Sequence, residues 1–313
     1  MDPDARIHVS LAHLRSLQGA ARGLSFLPRQ PSASVLNGRH ASRLRGRGLN
    51  FEEMRDYLPG DDIRSIDWKA TARTGTPHVR VFTEERDRPA LLVVDQRMSM
   101  FFGSQLNMKS VTAVEAAAIA AFRVLDAGDR VGGIVFDNAS PVEFVPKRSR
   151  RTAYALLESI VEKNAALHAD REAAPAPGEL NKVLNSVARI AHHDHLVLVF
   201  SDFDGIDEKT QRHLSSIAAH NDVILFLVYD PISERIEPGE RAVIGDSRMQ
   251  AEIDLGSESI RTAVSEFTRG RLEQIYRWQT EINLSVLPLS AGEETLPQVR
   301  RLMGSLAPAR RVR

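Results

Sequence analysis

Apolar runs of strand length set the strongest limit on how this chain can fold. "PALLVVD" (89–95), "DRVGGIVFD" (129–137), "HLVLVFSD" (195–202) and "DVILFLVYD" (222–230) are rich in valine, isoleucine, leucine and phenylalanine, with little alternation of polar residues. Such runs belong to strands buried on both faces, the condition of a parallel sheet covered by helices. The spacers have helical character. "SVTAVEAAAIAAFRVLDAG" (110–128) puts Val111, Val114, Ala118, Ala121, Phe122 and Leu125 on one stripe, and helices are also expected over 149–164, 177–191 and about 207–220. With a further strand at "PVEFVP" (141–146), the order is βαββααβαβ. This is an α/β, doubly wound, mostly parallel sheet with flanking helices. Ligands of such sheets sit beyond the carboxyl ends of the strands, where Asp95, Asp202 and Asp230 fall.

The flanks are less regular. Residues 241–255 read as a hairpin turning at Asp246-Ser247, 258–281 as a long amphipathic helix and 282–290 as a last strand. Before residue 89 the chain is polar, basic and rich in glycine and arginine. One helix is expected over 7–24, with Ile7, Leu11, Leu14 and Leu17 on a face, then a loop over 29–50 and a strand over 78–85. Three parts follow: 1–88, with the helix, basic loop and a motif-bearing segment; 89–306, the α/β domain; and 307–313, a flexible basic tail.

Composition excludes several classes. The 313 residues carry equal numbers of acidic and basic side chains, so neither bulk nucleic acid nor an anionic membrane is the expected main partner. Cysteine is absent, which removes disulfides, thiolate nucleophiles and cysteine zinc sites and points to the cytoplasm. No apolar run approaches a membrane span, and "MDPDARIHVS" lacks the basic and apolar regions of a signal peptide. No phosphate-binding glycine loop and no G-x-S-x-G elbow appears.

Chemistry concentrates after the first and fourth strands. Asp95, Ser99 and Asp202 offer oxygen ligands suited to Mg²⁺. Arg97, always charged and a donor only, stands between them and makes an ion-pair site the expectation, with Mg²⁺ at a degenerate site the alternative. "FSDFDG" (200–205) resembles the nucleophile loop of haloacid dehalogenase-type phosphatases, with Asp202 as nucleophile and Asp204 as acid/base, but follows the fourth strand where that loop follows a first. His192, His193 and His195 lie at the other end of that strand and fit a helix terminus better than a metal. Arg39, Arg43, Arg45 and Arg47 can grip phosphates, yet no aromatic residue between them stacks bases, so nucleic-acid binding is the weaker reading.

The segment "GRGLNFEEMRDYLPGDDIRSIDWKATARTGTPHVRVFTEERDRPALLVVDQRMSM" (46–100) carries the most specific pattern. Gly46, Gly48, Phe51, Arg55, Tyr57, Gly60, Asp61, Asp62, Arg64, Ile66, Asp67 and Trp68 match at fixed spacing the signature of the bacterial "domain of unknown function 58" family, which is related to von Willebrand factor A domains. The resemblance covers roughly residues 38 to 230. It implies a von Willebrand factor A-like sheet, whose metal-dependent adhesion loop resembles "DQRMSM" (95–100) with arginine in place of the middle serine. It also implies a non-catalytic adaptor that binds a MoxR-type AAA+ ATPase and assists assembly or maturation of a client protein. No cofactor is expected. The candidate protein-binding rim is Asp95, Arg97, Ser99, Asp202 and Asp204. In the signature, Pro59-Gly60 should turn the chain, Asp61 or Asp62 should cap the next turn, and Arg55, Arg64, Asp62 and Asp67 should form a charged network around Trp68.

Overall fold

The computed structural model describes residues 3–22, 24, 49–58, 61–84, 89–169, 178–231, 241–246, 249–254, 258–282 and 284–303. The basic cluster at Arg39 to Arg47, the Pro59-Gly60 turn and the tail over 307–313 lie outside those residues. The chain divides into two compact units, Gln30–Asp87 and the remainder.

The larger unit opens with two short helices, α1 (Leu11–Ser16) and α2 (Gln18–Ala21), where periodicity predicted one. The Ser10 hydroxyl caps α1 by accepting from the His13 amide, and Leu17 ends it. Residues 3–22 and 24 group with the α/β unit and not with the signature segment expected to share their part of the chain. The cause is apolar: Val9, Leu14, Ala21 and Leu24 are buried in the main core.

The smaller unit pairs β1 (Leu49–Asp56) antiparallel with a second strand across a short helix, α3 (Trp68–Thr74), and the partner strand is β2 (His78–Glu84). Asp67 caps α3 by accepting from the Lys69 and Ala70 amides, and Gly75 ends it at φ 79°, a left-handed conformation that suits glycine.

The sheet unit continues with β3 (Ala90–Asp95), α4 (Lys109–Asp126), β4 (Val131–Phe136), β5 (Pro141–Lys147), α5 (Arg150–Ala165), α6 (Glu179–Ile190), β6 (Leu196–Ser201), α7 (Glu208–Ala218) and β7 (Asp222–Tyr229). A separate antiparallel pair follows, β8 (Arg241–Asp246) with β9 (Met249–Asp254). The long helix α8 (Glu258–Glu281), the last strand β10 (Ser285–Ser290) and α9 (Thr295–Met303) complete it.

Six strands form one sheet in the order β10-β7-β6-β3-β4-β5, all pairs parallel except β4 with β5. The doubly wound α/β expectation is met. Side chains alternate across it with period two. Leu92, Val94, Leu198, Phe200, Ile224, Phe226 and Val228 face one core. Leu91, Val93, Val197, Val199, Val223, Leu225 and Leu227 face the other, with α6, α7 and the end of α8. Both faces being dry explains the continuous apolar runs. The stripe expected of α4 is an understatement: Ser110 to Phe122 are buried all round, because this alanine-rich helix packs on the sheet between α5 and α9, with α1 and α2 against it.

This winding fixes the site. The chain leaves β3 toward β4 on one side and returns to β6 on the other, so the order reverses between β3 and β6. A crevice opens at such a switch point, beyond the carboxyl ends of the two strands.

Candidate functional site at the carboxyl-end rim

Asp95 ends β3 fully buried, and Asp202, one residue beyond β6, is 4% exposed. Two bare carboxylates at this depth would be prohibitive. Arg97, 3% exposed, resolves this from within. Its Nε donates to both Asp95 oxygens at 3.0 Å and its NH2 to Asp95 Oδ2 at 2.7 Å. The same NH2 nitrogen lies 3.7 Å from Asp202 Oδ1, and NH1 donates to the Asp204 carbonyl at 3.1 Å. Its backbone amide also donates to Asp95 Oδ1, folding the loop back upon the strand end. Lys109, the first residue of α4, donates from Nζ to Asp202 Oδ2 at 2.7 Å.

Hydroxyls complete the set. Ser99 Oγ donates to Asp202 Oδ1 at 3.3 Å and Ser201 Oγ to Asp95 Oδ2 at 2.6 Å. Burial pushes the Asp202 carboxyl up, but the nearby Lys109 and Arg97 charges outweigh it and hold the group well below the usual carboxylate range. Burial likewise lowers Arg97, and Asp95 more than reverses it.

The structure therefore brings Asp95, Arg97, Ser99 and Asp202 together. Asp204 reaches them through its backbone, while its carboxylate, 42% exposed, takes an ion pair from Arg271 of α8 at 2.6 Å. Among the described residues no group of three or more His, Asp or Glu side chains gathers to hold a metal ion. A hard divalent ion would need the carboxylate oxygens that Arg97 and Lys109 already occupy, so the residues present do not fit one. Both Asp202 oxygens accept a hydrogen bond, Oδ2 from Lys109 Nζ and Oδ1 from the Asp204 amide.

Several participants escape a reading of the sequence. Lys109 and Ser201 are two. Phe203 is a third: its backbone is left-handed at φ 54°, unusual for a bulky residue, with the ring fully buried and its amide bonded to Ser201 Oγ. A buried amide chain also runs inward. Gln96 donates to the Asp95 carbonyl and accepts from Asn164 Nδ2 at 2.9 Å, and Asn164 Oδ1 accepts from the Val9 amide. The neighbouring strand-end carboxylates have partners too: Lys163 pairs with Asp137 at 3.2 Å, and Ser104 donates twice to Asp230. His193 and His195 bond within the turn after α6, at the opposite end of β6.

In the signature unit, Arg55 makes a two-pronged bond to Asp61, at 2.7 and 2.8 Å. That bond and the Leu58 amide lower the Asp61 carboxyl to about 2. Asp62 caps the turn at Ile63–Ser65 by accepting from the Arg64 amide. Arg55 thus pairs with Asp61, Asp62 and Asp67 cap the turn and helix that follow, and Trp68 is 65% exposed. The Tyr57 amide donates to the Pro77 carbonyl, tying the two ends of this segment.

Comparison with known proteins agrees with the signature. A family model described as "Protein of unknown function DUF58" matches residues 53–273. Uncharacterized protein Mb1516 of Mycobacterium bovis and Uncharacterized protein Rv1480 of Mycobacterium tuberculosis are each 33% identical over 215 residues, covering 69% of this chain. The match spans 66% of each relative's length. Among solved structures, the SpRpn10 VWA domain is similar with a TM-score of 0.42 and 10% identity, covering 70% of this chain and 99% of that one. Among the described residues no helix is long and apolar enough to cross a membrane.

Proposed function

The chain belongs to the DUF58 family, and we propose that it is a non-catalytic interaction module whose carboxyl-end rim docks a partner protein in the cytoplasm. The observation that supports this reading is the closed charge balance at the switch point. Asp95 and Asp202, the groups best placed to act as nucleophile, base or metal ligand, are consumed by Arg97 and Lys109. What remains on the outside is a pre-organised surface of Ser99 and Asp204 over a rigid floor. Following the family resemblance, the partner is a MoxR-type AAA+ ATPase, and the pair assists assembly or maturation of a client.

The test is an equilibrium titration of the purified chain against such an ATPase from the same cell, with and without ATP. Saturable binding is expected, weakened by Asp204→Lys, whose charge reversal sits at the exposed edge and removes none of the hydrogen bonds between Arg97 and Asp95. Binding indifferent to Asp204→Lys and to a bulky substitution at Ser99 contradicts the rim as the docking face. A phosphatase would instead show Mg²⁺-dependent hydrolysis of a generic phosphomonoester, lost in Asp202→Asn.

A further inference from the structure

We propose that Arg97 and Lys109 together are a resident dication, occupying the place of a divalent metal ion and making the rim permanently independent of one. Charge comes first. Asp95 and Asp202 bring two negative charges into a buried crevice, and the two side chains bring two positive ones, the same balance a single divalent ion would give. Geometry agrees. Arg97 NH2 stands between the carboxylates, 2.7 Å from one and 3.7 Å from the other, which is a bridging position. Lys109 Nζ takes the outer oxygen of Asp202. Both serine hydroxyls donate to these carboxylates, Ser99 to Asp202 and Ser201 to Asp95.

The position of Lys109 is an independent sign. It opens an 18-residue helix, whose amino end carries partial positive charge, so a cation there is electrostatically unfavourable. The preceding residue, Met108, supplies no side-chain cap either. The helix start is therefore poor for the helix and suited to Asp202. This assignment is separate from the docking reading, since a chain that docks nothing would give the same metal chemistry.

The experiment uses the full chain and Mn²⁺ alone, followed by the paramagnetic signal of the free ion and by thermal unfolding. Wild type is expected to show no saturable binding and no metal-dependent rise in Tm. Arg97→Ser/Lys109→Ala removes both cations while keeping both carboxylates, and is expected to bind one Mn²⁺ per chain, with Tm rising with metal concentration. If that protein does not fold without metal, its refolding is followed with and without Mn²⁺, and the folded state is expected only with the ion. One-to-one Mn²⁺ binding to wild type, lost in Asp202→Asn, overturns the proposal. So does a folded double variant that ignores the metal, or a double variant that stays unfolded with Mn²⁺ present.

Discussion

Arg97 and Asp95, two residues apart in sequence, are joined by three side-chain hydrogen bonds and a fourth from the Arg97 backbone amide. Arg97→Met breaks the side-chain bonds and leaves Asp95 buried without its main counter-charge. Removing one partner of a buried pair costs about 3–5 kcal/mol, whereas replacing both can be close to neutral. The expected outcome is a large drop in urea midpoint for Arg97→Met and substantial recovery in Asp95→Asn/Arg97→Met. A double-mutant cycle on urea unfolding measures it.

Acidification should expose the same site from the other carboxylate. The folded Asp202 value is depressed, so its contribution to stability is complete above the unfolded carboxylate value of about 4 and is lost as pH falls below it toward the folded value. Asp137, which burial raises but the Ser140 and Ala139 amides and Lys163 together lower, acts with the same sign. Thermal unfolding from pH 6 down to 3 should therefore steepen below about pH 4. Asp202→Asn should flatten that slope at lower overall stability.

A second pH response sits in the N-terminal helices. His13 Nε2 lies 2.6 Å from Glu115 Oε1, and Thr295 Oγ1 donates to the other oxygen of that buried glutamate. The hydrogen bond to Glu115 raises His13 above its ordinary value, against desolvation. Stability from this pair is complete below the unfolded histidine value of about 6.5 and fades as pH rises through the folded one. The protection factors of α1 and α2 amides, which already remove the intrinsic rise of exchange with pH, should therefore fall on the alkaline side, and His13→Ala should remove that fall.

The cap of α7 offers a local test. Asp207 accepts from the Lys209 and Thr210 amides, Thr210 Oγ1 receives the Asp207 amide in return, and Asn181 of α6 donates to the same carboxylate. Asp207→Ala should cost about 1 kcal/mol. Asp207→Ser, which keeps an acceptor, should recover much of it in chemical unfolding.

Much of this was legible beforehand. The strands could be read because two-face burial demands unbroken apolar runs, and the Arg97 pairing because guanidinium is always a cation. Lys109 could not, since its partner is 93 residues away; a lysine opening a long helix was the signal available. The amide chain from Asp95 through Asn164 to Val9 spans 155 residues between its last two members and leaves no local pattern. Phe203 reads as one more apolar residue after β6, and only its φ reveals the turn. The all-round burial of α4 followed from small side chains whose outer cover lies elsewhere in the sequence.

Site-specific photocrosslinking to the proposed AAA+ ATPase partner distinguishes the rim from other docking faces. One photoreactive side chain replaces Ser99, at the carboxyl-end rim, and another replaces His193, at the opposite end of β6. Docking through the rim gives a crosslinked species from position 99 and none from 193. Crosslinking from 193 alone, or equally from both, contradicts it.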